Sequence, residues 1–197
     1  MPTPAHTSIA EIVAAGRAIL ATEGLDGLTM NRVAEATGVR APSLYKHVSN
    51  RAQLVRLVAT AVIAEVGSEL DRAATTGDPA GDLRALASAM REFAQRDPHG
   101  FGLLFQPLPA ESSLDPAVYA AAAAPVLRVT GELAGPDRAL VAARTVTAWA
   151  SGFLRMELAG GFQLGERVAD AFDYGIALLA DAIGAHSDRT EHTTPTR

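Results

Sequence analysis

The chain has no cysteine, so no disulfide framework, thiolate metal site or thiolate nucleophile is available to it. Aromatic residues make up only 5% of the sequence. Alanine and leucine dominate over the β-branched and aromatic types that strands favour, which excludes a sheet protein and points to helices. No stretch of about 18 uncharged apolar residues reads as a membrane span. The segment Met1 to Ser8 lacks the basic start and apolar run of an export signal, so a cytoplasmic location is expected. The five histidines, His6, His47, His99, His186 and His192, are scattered. There is no H-E-x-x-H, no glycine-rich phosphate loop and no G-x-S-x-G. Catalytic residues, metal ligands and a cofactor are therefore not expected, and the chain does not read as an enzyme.

What is present is 197 residues with a net charge of -5, enough for one domain or two small ones. The charge is uneven. Up to Thr60 there are six cations (Arg17, Arg32, Arg40, Lys46, Arg51, Arg56) against four acids (Glu11, Glu23, Asp26, Glu35), so this part is basic and the remainder carries -7. Lys46 is the sole lysine among arginines.

Helix signals punctuate the chain. Ser8 and Glu11 form an S-x-x-E capping box before the apolar positions Ile9, Ile12, Val13, Ile19 and Leu20, predicting a helix to Glu23 that ends at Gly24. Thr29 is an N-cap for a short helix with Met30, Val33 and Ala34 inward, and Gly38 ends it. Only Val39 and Arg40 precede the next short helix, expected over Ala41 to His47, with Pro42 tolerated in its first turn and Leu44 and Val48 inward. Asn50 then caps a long helix to about Arg72, and Asp78 caps another from Pro79 to about Arg96. A short turn over His99 to Phe105 follows. Pro116 opens an alanine-rich helix that Pro125 should kink or break. Two long helices, Asp137 to Ala159 and Gly165 to Ala185, flank the Gly160-Gly161 turn. From His186 the chain lacks apolar anchors and reads as a disordered tail. The expected architecture is all-α with about nine helices. Its expected division is 1–50, 51–185 and the tail 186–197.

Two short helices joined by Gly38-Val39-Arg40 and followed by a longer one form a helix-turn-helix, whose second helix would lie in a DNA major groove. The string Leu28-Thr29-Met30-Asn31-Arg32-Val33-Ala34, then Gly38-Val39-Arg40-Ala41-Pro42-Ser43-Leu44-Tyr45-Lys46-His47-Val48, then Asn50-Arg51 and Leu54, resembles the DNA-binding domain of the TetR family. The L-Y-x-H-[FV] element and the downstream N-[KR]-x-x-L are its most specific parts. The resemblance implies base contacts from Arg40, Ala41, Pro42 and Ser43, with Lys46 and with Asn31 of the preceding helix. Arg40 is the chemically apt reader of guanine O6 and N7, whereas Ala41 and Pro42 offer apolar contact to a thymine methyl. Tyr45 and His47 present polar tips to the phosphate backbone. Thr29, at a helix N-terminus, and Arg51 are further phosphate contacts. The chain departs from the common family pattern at Arg40, where a small capping residue often sits, and at Ser49, where a cation is frequent.

In the second half, the segment Trp149 to Gly160 resembles in part the W-x-x-H-G-hydrophobic block of one TetR C-terminal subgroup, with Ser151 where that block often has histidine. An effector pocket is expected among Met90, Phe93, Phe101, Leu104, Phe105, Trp149, Phe153 and Met156, with Arg128 or Arg144 as a polar anchor. The wide apolar faces of the last two helices suit a homodimer packed as a four-helix bundle. The resemblance thus implies a ligand-responsive repressor whose partners are a palindromic double-stranded DNA operator, a small-molecule effector and a second copy of the chain, with no membrane. The competing reading is a helical protein-interaction module without DNA affinity.

Overall fold

Short-range chemistry sets the helix starts. Ser8 Oγ accepts the Glu11 N–H at 3.2 Å while Glu11 Oε2 accepts the Ser8 N–H at 2.8 Å, closing the capping box at the head of α1 (Ile9–Gly27). Thr29 caps α2 (Met30–Ala36), and Arg40 stands in extended conformation before α3 (Ala41–Leu44). Asn50 Oδ1 accepts the Gln53 N–H at 2.9 Å to start α4 (Arg51–Ala73), and Asp78 Oδ2 accepts the Gly81 N–H at 3.0 Å at the head of α5 (Pro79–Arg96). Asp97 caps α6 (Pro98–Phe105). The chain continues through α7 (Pro116–Ala134), α8 (Ala139–Leu158) and α9 (Val168–Glu191), with 3-10 turns at Ala110–Ser112 and Pro136–Arg138. This computed structural model describes residues 7–191, and among the described residues there is no strand. None of its helices is long and apolar enough to cross a membrane.

The described residues divide into two compact units, one within 1–65 and 97–119, the other within 66–96 and 120–197. In the first, α1, α2, α3, α6 and the leading part of α4 enclose Ile12, Leu20, Leu28, Val33, Leu44, Val48, Leu54, Val58 and Phe101, all essentially solvent-free. Each such side chain contributes roughly 1.5–3 kcal/mol of burial, which is what holds three short helices that would be marginal alone.

In the second unit, the end of α4, α5, most of α7, α8 and α9 bury Leu83, Leu86, Phe93, Val129, Val146, Leu154, Phe172 and Ile176. Asp82 is 1% exposed, and its carboxylate accepts the Thr76 N–H (2.9 Å), the Thr76 hydroxyl (2.7 Å) and the Gly77 N–H (3.3 Å). Those bonds, led by the Thr76 hydroxyl, hold its carboxyl below the usual range and fasten the α4–α5 connection.

The first helix breaks at Gly24 as expected (φ 68, ψ -170), with a further turn running on to Gly27. Three other local expectations change. The third helix stops at Leu44: beyond it Lys46 N–H bonds to Ser43 O and His47 N–H to Leu44 O, a tighter three-residue pattern, so Tyr45, Lys46 and His47 sit on a turn. Pro125 does not end α7. It is buried inside a helix that continues to Ala134, so packing around it, rather than local propensity, carries the helix past the missing N–H. Helix α9 continues to Glu191, past His186 where the sequence predicts the onset of disorder, and 192–197 lie outside the described residues.

Candidate nucleic-acid interface

The helix-turn-helix is held from beneath. Gly38 takes a positive φ of 68° in the turn, a conformation open to glycine without the cost that a Cβ would bring, and Val39 N–H bonds back to Ala34 O at 3.0 Å. Leu44 and Val48 are fully buried and anchor the second helix and its following turn. On the other side Arg40, Pro42, Tyr45 and Lys46 are exposed, Tyr45 by 52%, while Ala41, Ser43 and His47 are half-buried. One face packs and the other is open to a partner.

The cations of this unit separate sharply by their surroundings. Arg17 is paired with Glu65, and Arg56 donates to Glu111 O at 2.7 Å. Arg32 is clamped between Glu23 and Glu35 (2.8 Å). The hydrogen bond to Glu23 leads in pushing Arg32 above the ordinary guanidinium range, and the same bond leads in holding Glu23 below the carboxylate range. Among the described residues Arg40 and Lys46 carry neither an ion pair nor a side-chain hydrogen bond. Arg40 at the start of the second helix and Lys46 on the turn after it therefore present exposed positive charge that no carboxylate offsets, whereas Arg51 and Arg56, also without an ion pair, are tied to backbone carbonyls.

The remaining predicted positions are placed as follows. Thr29 is half-buried, and its hydroxyl oxygen accepts the Arg32 N–H at 3.3 Å, so its own O–H proton stays free to donate. Asn31 is exposed on α2. Arg51 is turned back: Nε donates to Leu28 O at 2.8 Å and Nη2 to Leu25 O at 2.7 Å, leaving its other N–H groups for an anion. Ser49, where a cation is frequent in the resembling family, is drawn into capping, its N–H and hydroxyl both meeting Gln53 Oε1 at 2.7 and 2.8 Å.

The predicted effector positions fall in both units. Phe101, half-buried Leu104 and Phe105 belong to the first, where the two rings meet edge to face at 5.2 Å. Met90, Phe93, Trp149, Phe153 and Met156 belong to the second. There Phe93 is core, with the Arg96 guanidinium 5.4 Å from its ring, Met90 is half-buried and Met156 is exposed. Trp149 and Phe153 form one aromatic cluster with Phe162 and Phe172, at centroid distances of 4.7 to 5.6 Å. Trp149 lies so close to Gly175 that a Cβ there would come within 2.3 Å of its ring.

Beside this cluster the sequence reading missed a polar group. The Arg91 guanidinium grips Glu157 (2.5 Å from Nη2 to Oε1, 2.9 Å from Nε to Oε2), Gln95 Nε2 adds a bond to the same carboxylate at 3.1 Å, and Arg91 stands 5.4 Å from the Phe172 ring centroid. Side-chain exposures of 19% and 14% make this a largely shielded pair. The Arg91 hydrogen bond holds the Glu157 carboxyl below its ordinary range, and Arg91 in turn is raised. The partners lie 66 positions apart, so no local pattern could have revealed them. Phe172 does carry a signal, since Phe172, Ile176 and Ala180 recur at helical spacing.

Comparison with known proteins agrees with both halves. Residues 12–58 match the bacterial regulatory proteins of the tetR family, and residues 83–179 match the tetracyclin repressor-like C-terminal domain. An uncharacterized HTH-type transcriptional regulator of Mycobacterium tuberculosis is 30% identical over 159 residues, which span 80% of this chain and 73% of that protein. Among solved structures, a protein from Rhodococcus sp. RHA1 superposes with a TM-score of 0.76 at 21% identity, over 91% of this chain and 97% of that one. A TetR variant from Acinetobacter baumannii AYE, solved in complex with minocycline, superposes with a TM-score of 0.65 at 22% identity, over 89% and 96% of the two chains. These two share the fold. With the helix-turn-helix in place, the C-terminal match and the relative that spans most of its length, the chain belongs to the TetR family of DNA-binding transcriptional regulators.

Proposed function

We propose that the protein is a homodimeric repressor, acting on DNA in the cytoplasm, that binds a palindromic operator and releases it when a small apolar or amphipathic effector binds. The observation that carries the DNA side is the pair of exposed, uncompensated cations Arg40 and Lys46 beside Tyr45, on the side of the second helix opposite buried Leu44 and Val48. In this reading residues 1–50 engage DNA. Arg40, Ala41, Pro42 and Ser43 meet base edges together with Asn31 and Lys46, while Thr29, Tyr45, His47 and Arg51 meet phosphates.

Residues 51–185 bind the effector and dimerise. The dimer is supported by apolar and small residues left open on the last two helices: Val141 (65% exposed), Ala148 and Gly152 on α8, and Ala171, Tyr174 (68%) and Leu178 (51%) on α9. Their spacings of three, four and seven follow a helix stripe of the kind that packs against a twin. Two recognition helices would then enter half-sites about one DNA turn, roughly 34 Å, or a multiple apart. Effector binding favours a protomer arrangement that no longer matches that spacing, and by linkage operator DNA weakens effector binding by the same factor. The minocycline complex of the Acinetobacter protein supports a small organic ligand in principle.

The test is fluorescence anisotropy with DNA flanking the protein's own coding sequence, across a salt series. Binding to a palindromic segment with two protomers per site, and an affinity falling steeply with salt, is expected. Weak, salt-insensitive binding to every such segment would refute the proposal.

A further inference from the structure

Acids stand at the starts of most helices of the chain. Glu11 closes the cap of α1, Asp78 caps α5 with Asp82 in its first turn, and Asp97 caps α6. Asp115 Oδ1 accepts the Ala117 N–H at 2.8 Å at the head of α7, Asp137 lies in the 3-10 turn leading into α8, and Asp170 is in the first turn of α9. Each puts negative charge where the helix dipole favours it. The two helices of the helix-turn-helix and the long helix after them do without. Thr29 caps α2, Arg40 precedes α3, and no acid lies in the first turn of α2, α3 or α4. Carboxylates at these starts would repel the phosphates of a DNA partner.

At α4 the group that stands in for an acid is Gln53. Its Oε1 accepts the Ser49 N–H at 2.7 Å and the Ser49 hydroxyl at 2.8 Å, much as Glu11 serves Ser8, while Asn50 Oδ1 accepts the Gln53 N–H at 2.9 Å. A carboxylate would hold those donors more strongly, since charge-assisted bonds are roughly twice as strong as neutral ones. What a carboxamide has and a carboxylate lacks is an NH₂ group. The Ser49 N–H can only donate, so it fixes which end of the amide is oxygen, and Nε2 is directed away from Ser49. Among the described residues nothing accepts a hydrogen bond from it. Arg51, on the same helical turn, keeps further N–H groups uncommitted. Exposed Ser49 joins this turn to the segment carrying Tyr45 and Lys46.

We propose that Gln53 Nε2 donates a hydrogen bond to a backbone phosphate of bound DNA, a contact made possible by the carboxamide that replaces an acid in the α4 cap. The proposal rests on the DNA face described above and adds a residue to it. Nε2 and the open N–H groups of Arg51 are donors only, so their partner is an acceptor. With exposed Arg40 and Lys46 close by in sequence and no acid at the helix start, that acceptor is anionic. Gln53 thus has two tasks, Oε1 fastening the turn after the second helix and Nε2 meeting the backbone that the helix lies along.

Two substitutions in the full-length protein separate the tasks, because they move stability and DNA affinity in opposite directions. Gln53→Glu keeps an acceptor for Ser49 and exchanges the NH₂ for an anionic oxygen. Its thermal midpoint should equal or exceed the parent's, while its affinity for duplex DNA, read by anisotropy, should fall about tenfold. Gln53→Arg keeps donors but offers Ser49 no acceptor. Its thermal midpoint should fall, while DNA binding tightens and the slope of log affinity against log salt steepens by about 1. The contact is then located with duplexes that each carry one neutral methylphosphonate in place of a phosphate. At one position per half-site the replacement should weaken the parent about threefold yet strengthen Gln53→Glu, a reversal that a purely structural cap would not produce. Unchanged DNA affinity in Gln53→Glu, weakened affinity in folded Gln53→Arg, or no position with that reversal would each overturn the proposal. A parent that binds a flanking segment which Gln53→Glu binds equally well refutes this contact and leaves the repressor reading standing. A parent that binds no duplex, even a random one at low salt, refutes both.

Discussion

Replacing Gly175 by alanine tests the packing of the second unit with a sign as well as a size. In the middle of an ordinary helix, glycine to alanine stabilises by about 1 kcal/mol. At Gly175 the new Cβ would lie 2.3 Å from Trp149 Cζ2 and 3.0 Å from Cε2, so the indole has to retreat by about 1 Å to reach normal contact. It has little room to do so, being stacked on Phe172 at 5.2 Å and packed against Phe153 at 5.6 Å. Overpacking of this kind costs about 1–3 kcal/mol, which outweighs the helix gain and leaves a net loss of about 1 kcal/mol. In a Trp149→Phe background the clashing indole edge is gone, and the same Gly175→Ala change should stabilise by up to about 1 kcal/mol. The double-mutant cycle therefore predicts a sign reversal and a coupling of about 2 kcal/mol. Urea denaturation followed by far-ultraviolet circular dichroism, at one fixed protein concentration, reads all four proteins on the same scale. An equal effect of Gly175→Ala in both backgrounds would refute the close approach of Trp149 to α9.

Other expectations follow from the ion pair, the reading face and the turn. The Glu157 carboxyl titrates below its ordinary range, so its stabilising contribution is complete above about pH 4.3 and is lost as pH falls below that. An acid denaturation midpoint that does not change in Glu157→Gln would contradict this. Arg40→Ala and Lys46→Ala should each lower the slope of log affinity against log salt by about 1. Arg40→Ala should also relax base preference, as read by anisotropy on operator variants, and slopes equal to the parent's would remove both residues from the interface. Gly152→Trp, on the open side of α8 where an added Cβ meets nothing, should leave helix content intact and yield monomers in sedimentation; a persisting dimer would place the contact elsewhere. Gly38→Ala should cost about 1–2 kcal/mol because φ is positive there, and an unchanged thermal midpoint would argue against that turn geometry.

What the sequence made legible is what depends on neighbours in the chain. The caps at Ser8, Thr29, Asn50 and Asp78 are read from three or four residues each, and each is present. The inward positions Val33, Leu44, Val48 and Leu54 follow from helical period and are fully buried. The continuity of α7 through Pro125 was not legible, because a proline penalty of about 3 kcal/mol is a local quantity whereas the packing that buries Pro125 is not. The same holds for the site. Arg40 and Lys46 could be picked out as exposed cations, but that Arg32 is neutralised by Glu23 and Glu35 while they are not depends on how α1 and α2 meet. Arg91 on α5 is separated by whole helices from Glu157 on α8 and Phe172 on α9, and only the folded chain sets them side by side.

Arg51 opens the long helix α4, yet two of its donors grip the carbonyls of Leu25 and Leu28 at the corner between α1 and α2. That makes the start of α4 a handle welded to the reading head. Under the proposed function, a tilt of this handle would carry the head with it as one piece, and control of DNA affinity would be a matter of aim rather than of shape.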